Sequence, residues 1–147
     1  MSDSLKTGDV IGILGGGQLG RMLSVAASRL GLRSHIFEPS ASSPAADVAH
    51  ALTCASYNDE KALCKFAKSV DVITYEFENV PTSTIDTLEK FRPIRPGREA
   101  LRVSQDRVIE KEFLNNLGLA TAPYAPIETI YDLTNAVKII GVPAVLK

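Results

Sequence analysis

The chain has 147 residues, of which 45% are hydrophobic and 22% are charged, and its formal net charge is −1. This balance is typical of a globular protein and excludes a disordered chain. A net charge near zero offers no electrostatic basis for binding nucleic acid or an anionic membrane. No apolar run approaches the roughly 20 residues that cross a bilayer, and the N-terminus lacks the apolar segment of a signal peptide. We therefore expect a cytoplasmic protein with reduced thiols at Cys54 and Cys64, whose spacing fits neither a metal site nor a redox pair.

Strands and helices alternate along the chain as far as Ile94. The predicted strands are Val10–Leu14, Arg33–Phe37, Val48–Thr53 and Val70–Tyr75, with a short one near Ile94, and the predicted helices are Gln18–Leu30, Asn58–Ser69 and Thr82–Phe91. Continuous apolar runs are typical of strands that are covered on both faces, and right-handed crossovers connect such strands. We therefore predict the α/β fold class, with a Rossmann-like, doubly wound parallel sheet over residues 1–97.

The pattern changes after Pro96 and becomes mostly helical. We predict a helix over Arg98–Leu117 with a break near Ser104, a second helix at Tyr131–Ile140, and the start of a strand at Val142–Lys147. Residues 98–147 are therefore predicted to form a helical connection followed by the beginning of a further subdomain.

A glycine turn joins the first predicted strand to the first predicted helix. Gly15, Gly17 and Gly20 fit the pattern G-x-G-x-x-G, in which backbone N–H groups at a helix N-terminus face an anionic group. Glu38, at the end of the next strand, is the acid that a dinucleotide site requires. The glycines also fit a tight turn that binds nothing, and Gln18 places a long polar side chain at the tip of the turn, which suits a small polar ligand.

Four segments of the chain carry a family resemblance: Ile13–Met22, Thr74–Pro81, Ser104–Leu114, and Leu119–Tyr124 followed by Pro143–Lys147. They resemble the N-terminal part of the N5-carboxyaminoimidazole ribonucleotide synthetases, which are purine-biosynthesis enzymes of the ATP-grasp superfamily. The resemblance implies a pre-ATP-grasp domain over residues 1–97, then a helical connection and the beginning of the ATP-grasp small subdomain over residues 98–147. The ATP-dependent phosphoribosylglycinamide formyltransferases are similar, but they usually carry Glu where this chain has Gln18.

The resemblance implies a binding site for 5-aminoimidazole ribonucleotide formed by Gln18, Leu19 and Glu76. The Gln18 amide can hydrogen-bond a polar ligand, and free N–H groups of the turn are expected to favour the negative end of that ligand. Glu76 follows the Val70–Tyr75 strand, at the edge where open α/β sheets bind ligands. Glu78, two residues further on, remains an alternative for the same role.

The resemblance also implies two contacts to ATP phosphates, from Arg107 and Lys147. A guanidinium presents a planar set of donors that suits phosphate oxygens. An ion pair along its own helix is the alternative role for Arg107. Asp106, the residue before it, is expected to cap a helix rather than to act in catalysis.

In this family the loop that covers the ATP phosphates and the carboxylates that hold magnesium lie beyond the position of Lys147. We therefore expect an N-terminal fragment of an ATP-dependent carbon–nitrogen ligase, with ATP, Mg2+ and bicarbonate as cofactors and co-substrate. We expect no metal ligand or catalytic residue in this stretch, no activity of the chain alone, and, because the family's dimer contacts are largely made here, a homodimer. Two alternatives stay open: the NAD(P)-binding domain of an oxidoreductase and a phosphoribosylglycinamide formyltransferase.

Overall fold

A computed structural model describes residues 4–147, so the first three residues of the predicted N-terminal segment and domain lie outside it. The chain divides into two compact units, one ending at Arg102 and the other beginning at Val103. The first unit contains β1 (Val10–Leu14), α1 (Gln18–Arg29), β2 (Arg33–Phe37), β3 (Ala51–Thr53), α2 (Glu60–Lys68), β4 (Val72–Tyr75) and α3 (Thr82–Leu88). Helix α4 (Arg98–Ser104) includes the boundary, and α5 (Arg107–Asn116) and α6 (Ile130–Ile140) belong to the second unit. The sequence-based boundary between residues 97 and 98 stays a prediction.

The four strands form one parallel sheet in the order β3-β2-β1-β4. The predicted short strand near Ile94 is present as a single parallel bridge from Ile94 to Ile73. Leu14 is paired with Phe37 on one side and with Tyr75 on the other. The carboxyl ends of β1, β2 and β4 therefore lie level at one edge of the sheet. The predicted α/β class with a parallel sheet is confirmed.

Helices cover both faces of the sheet. Consecutive strand residues point to opposite faces, so neighbouring side chains belong to different clusters. Ile13 and Ile36 pack with Ala45 on the face that carries α1, whereas Leu14 and Phe37 belong to the larger cluster under α2 and α3. The larger cluster also contains these fully buried side chains: Leu63, Phe66, Ile73, Ile85, Leu88, Ile94 and Leu101. Two-sided burial explains the uninterrupted apolar run of β1.

The starts of α2 and α5 are each fixed by the side chain of the residue that precedes the helix. Asp59 accepts a hydrogen bond from the N–H of Ala62 at 3.0 Å at the start of α2. Asp106 accepts from Val108 and Ile109 at 2.8 and 3.1 Å at the start of α5. The backbone of Asp106 is extended, as an N-cap requires, so the helical backbone is interrupted there. The predicted break near Ser104 and the capping role of Asp106 are thereby confirmed.

Three predicted strands differ from the structure, and one of them, predicted at Val70–Tyr75, begins at Val72. Residues 141–147 form no strand, so the prediction for Val142–Lys147 is wrong for this chain; a strand needs a neighbour to pair its backbone groups, and residues 103–147 contain none. The third strand begins at Ala51 rather than Val48, because the N–H groups of Val48 and Ala49 donate to Ala45 O in a turn. Among residues 4–147, no helix is long and apolar enough to cross a membrane.

Candidate functional site

The glycine turn lies between the level ends of β1 and β2. Gly15 has a φ of +105°, a conformation that favours glycine. Its N–H donates to Phe37 O at 3.0 Å, and Gly16 O accepts from the N–H of Ala45 at 2.9 Å. The turn is therefore fixed to the end of β2 on one side and to the loop that follows β2 on the other.

Two carboxylates hold the N–H groups of this turn. Gly17 N–H donates to Glu76 Oε1 at 2.9 Å and Gly20 N–H donates to Glu76 Oε2 at 2.5 Å. Gly16 N–H donates to Glu38 Oε2 at 2.8 Å. The expectation that these N–H groups are free for a ligand is therefore wrong, since each of the three already has an anionic partner.

Glu76 performs both halves of a capping box at the start of α1. In the usual motif, the residue just before the helix and the residue three positions later exchange hydrogen bonds, each side chain accepting from the backbone N–H of the other. Here both positions, Gly17 and Gly20, are glycines without side chains, and Glu76 from the exit of β4 accepts from both N–H groups. One carboxylate therefore joins β4 to the N-terminus of α1.

The spacing of the glycines follows from this close approach. A Cβ atom on Gly17 would lie 2.6 Å from Glu76 Oε1, and a Cβ atom on Gly20 would lie 2.5 Å from Gly15 O. Real Cβ contacts are essentially never this short. The pattern Gly15, Gly17, Gly20 is thus explained by the turn and by Glu76 without any bound phosphate.

The predicted substrate-binding residues lie together at this edge of the sheet. Gln18 and Leu19 are the first two residues of α1, and both are exposed, Leu19 to 57% of its maximum. Glu76 and Glu78 are half-buried in the loop that follows β4. The site therefore combines an exposed amide, an exposed apolar side chain and a carboxylate that is already fixed in position.

The side chain of Glu38 accepts hydrogen bonds from nearby backbone N–H groups, whereas the acid of a dinucleotide site accepts from ribose. Its Oε2 accepts from Gly16 N–H, and its Oε1 accepts from Ser40 N–H at 3.1 Å. Both oxygens therefore fix the loop after β2 against the glycine turn. Arg21 holds the far end of that loop, because its Nη1 donates to Pro44 O and to Asp47 Oδ2, each at 3.0 Å.

Sequence reasoning missed one side chain at this edge, Tyr57. Its hydroxyl donates to Phe37 O at 3.4 Å, and its ring lies 6.2 Å from that of Phe77. Burial, and then the charges of Glu38 and Glu76, raise the pKa of Tyr57 above its ordinary value. The available signal was its position in the loop between β3 and the helix cap Asp59. Every loop that follows a strand of this parallel sheet begins at the same edge.

The two predicted ATP contacts belong to the second unit. Arg107 is the first residue of α5, and its Nη1 lies 2.6 Å from Glu110 Oε2. Lys147 is exposed in a segment without regular structure. The helical ion pair that the sequence left open for Arg107 is present, and the role of both residues toward ATP stays a prediction.

Comparison with known proteins identifies the family. The model of the ribonucleotide synthetase preATP-grasp domain matches residues 9–105. The chain belongs to this family. The matched range contains the whole parallel sheet, the glycine turn and Glu76, so the preATP-grasp domain corresponds to the part of the chain that carries the candidate site.

Three of the relatives bear the name of one type of enzyme. The chain is 49% identical over 144 residues to an N5-carboxyaminoimidazole ribonucleotide synthase of Brucella melitensis, covering 98% of this chain and 40% of that protein. It is similar to the crystal structure of the N5-carboxyaminoimidazole ribonucleotide synthetase of Thermus thermophilus, with a TM-score of 0.82, 44% identity, and coverage of 90% of this chain and 37% of that one. A structure of the Aspergillus clavatus synthase in complex with ADP and 5-aminoimidazole ribonucleotide matches with a TM-score of 0.79 and 30% identity, covering 93% and 37% of the two chains. The chain spans about two fifths of the length of these relatives.

Proposed function

We propose that this chain is the N-terminal part of an N5-carboxyaminoimidazole ribonucleotide synthase. Such an enzyme carboxylates 5-aminoimidazole ribonucleotide with ATP and bicarbonate, through carboxyphosphate, in purine biosynthesis. The observation that carries the proposal is the arrangement of Gln18, Leu19 and the fixed carboxylate of Glu76 at one sheet edge. The names and the high identity of the relatives support it.

The proposed ribonucleotide site uses the remaining capacity of Glu76. An ionised carboxylate has about four lone-pair positions, and the turn uses two of them. The other two can accept hydrogen bonds from an amine or from ribose hydroxyls. The Gln18 amide can donate or accept beside them, and the exposed Leu19 side chain offers an apolar surface to a base or sugar.

The proposed ATP contacts are Arg107 and Lys147, since a guanidinium and an ammonium both suit phosphate oxygens. Among residues 4–147, no three His, Cys, Asp or Glu side chains are grouped so that they could hold a metal ion. The described residues therefore do not fit a magnesium site, and we assign no step of the reaction to a metal bound by this chain. We also propose a cytoplasmic location for the enzyme.

Nuclear magnetic resonance titration tests the substrate site directly. We expect 5-aminoimidazole ribonucleotide to shift the amide signals of Gly17, Gln18 and Leu19 in the chain as it stands. Glu76→Gln should weaken this binding at least tenfold, because the carboxylate is the acceptor. The matched control Glu89→Gln, which makes the same charge change at the opposite edge of the sheet, should leave it unchanged. Tighter binding of NADH than of the ribonucleotide would instead favour the oxidoreductase alternative.

We also propose that the chain forms a homodimer through an apolar stripe on α1. The helix packs its small residues Gly20, Ser24 and Ala27 on the sheet, and its larger apolar residues remain outside. The stripe consists of Met22, Leu23, Ala26 and Leu30, of which Met22 and Leu30 are 66% and 73% exposed. These positions share one face of the helix, and apolar stripes of this kind mark interaction surfaces.

Sedimentation velocity tests the dimer. We expect the chain to self-associate as its concentration rises and Leu23→Glu to shift it to the monomer, because a charge would be buried in the stripe. Ser28→Glu, on the same helix but outside the stripe, serves as the control. A strictly monomeric wild-type chain at millimolar concentration would contradict the proposal.

A further inference from the structure

We propose that Glu76 acts as a built-in anion at the glycine turn, so that the turn excludes phosphate and admits only ligand groups that donate hydrogen bonds to Glu76. A G-x-G-x-x-G turn at a helix N-terminus ordinarily binds phosphate or pyrophosphate. In this chain the N–H groups of Gly16, Gly17 and Gly20 are satisfied by carboxylates of the protein itself. The part of the inference that concerns a ribonucleotide rests on the proposed function, whereas the exclusion of phosphate is a property of the turn.

The first support is the geometry of the turn. The carboxylate oxygens of Glu76 lie 2.9 and 2.5 Å from the nitrogens of Gly17 and Gly20. These are the positions from which a helix N-terminus donates to a bound anion. A phosphate oxygen cannot take them unless Glu76 leaves.

The second support is the spacing of the glycines, which fits Glu76 itself. The missing side chain of Gly17 provides the space in which Glu76 Oε1 lies, 2.6 Å from the position of a Cβ atom. At Gly15, a Cβ atom would meet the Cγ atom of Glu76 and the ring of Phe77. The glycines therefore create room for a carboxylate from β4 rather than an open cradle for a ligand.

The third support is the charge around the turn. Glu38 contributes a second carboxylate, 2.8 Å from the nitrogen of Gly16, and the hydroxyl of Tyr57 lies within the electrostatic reach of both acids. A phosphate monoester carries about −1.5 to −2 charges near neutral pH. Such a group would meet two like charges at the turn, whereas an amine or a hydroxyl would meet acceptors.

The inference assigns an orientation to any ribonucleotide that reaches this edge of the sheet. Its hydrogen-bond donors face Glu76, and its phosphate points away from Gly17 and Gly20. Glu76 is then a specificity-determining residue in two senses: it accepts from the correct end of the ligand and repels the other end.

Pyrophosphate binding to the chain and its variants tests the exclusion. The variants are Glu76→Ala, which vacates the turn, Glu76→Gln, which keeps the shape but removes the charge, and the control Glu89→Gln. Amide signals of Gly17 and Gly20 report on the turn, and the remaining amide signals show whether each variant is folded. We expect pyrophosphate to leave Gly17 and Gly20 unshifted in the wild-type chain and in Glu89→Gln. In Glu76→Ala it should shift both signals with an affinity at least tenfold higher, and Glu76→Gln should show a smaller increase.

Two results would overturn the inference. One is a shift of Gly17 and Gly20 by pyrophosphate in the wild-type chain. The other is a folded Glu76→Ala variant in which pyrophosphate leaves both signals unmoved; if that variant does not fold, the same result in Glu76→Gln decides. Titration with 5-aminoimidazole ribonucleotide keeps the two proposals distinct, because failure of the wild-type chain to bind it contradicts the proposed function and leaves the exclusion of phosphate standing.

Discussion

Replacing Gly20 by alanine sets two opposing effects against each other within one helix. Alanine is the better helix former, and this preference alone would stabilise α1 by about 1 kcal/mol. The new Cβ atom, however, would lie 2.5 Å from Gly15 O, a backbone atom that cannot rotate away. It would also displace the Gly20 N–H from Glu76, which it contacts at 2.5 Å.

The sizes of these effects decide whether Gly20→Ala raises or lowers the free energy of unfolding. Overpacking costs about 1–3 kcal/mol, and a hydrogen bond to a charged group contributes about 1.5–3 kcal/mol. Set against the helix preference, these costs leave a net destabilisation of about 1.5–5 kcal/mol. We therefore expect Gly20→Ala to lower the free energy of unfolding of the first unit by that amount.

Urea unfolding followed by the amide signals of Ile13 and Ile36 measures this unit by itself, because both residues belong to the sheet core. Ser28→Gly, at an exposed position of α1 outside the apolar stripe, is the matched control and should cost about 0.5 kcal/mol through helix preference alone. If Gly20→Ala is as stable as the wild type, or more stable, the close approach of the turn to α1 does not constrain this position and the reasoning is refuted.

Three further predictions concern other parts of the chain. Burial, and then the charge of His50, lower the pKa of His35 below its ordinary 6.5. Because the unfolded chain then binds more protons than the folded chain, the stability of the first unit should fall as the pH drops below about 6.5. His35→Gln should flatten this pH dependence in urea unfolding. Asp106→Ala should cost about 1 kcal/mol of helix stability and speed hydrogen exchange at Val108 and Ile109, with unchanged exchange there as the contrary result. Calorimetry should detect no micromolar affinity for ATP with Mg2+, since residues 4–147 contain no cluster of side chains fit for a metal; such an affinity would show that this chain binds the nucleotide by itself.

The elements of the fold could be predicted from local sequence signals. Continuous apolar runs such as Val10–Leu14 indicated buried strands, and caps such as Asp59 and Asp106 marked helix starts. The failure of Val142–Lys147 to form a strand could not be judged in this way, because strand pairing depends on a neighbouring strand and not on the segment itself.

The contacts of the candidate site were less accessible to sequence reasoning. The pattern placed Gln18 and Glu76 at one edge, but it did not indicate that Glu76 reaches the N–H groups of Gly17 and Gly20, because those bonds join residues more than 50 positions apart. Periodicity also showed that α1 is a helix without showing which face meets the sheet. The small residues do so, with Ser24 and Ala27 buried, since the backbone of α1 lies close to the strands.

The level ends of β1, β2 and β4 restrict how the length of this chain can vary. Gly15, Glu38 and Glu76 are each the first residue after a strand, and they meet because Leu14, Phe37 and Tyr75 are in register. Deleting one residue from β4 would draw Glu76 back by about 3.3 Å and turn it to the other face of the sheet. Insertions and deletions should therefore be confined to the opposite edge, where the connections from α1 to β2 and from α2 to β4 can lengthen or shorten without moving either carboxylate.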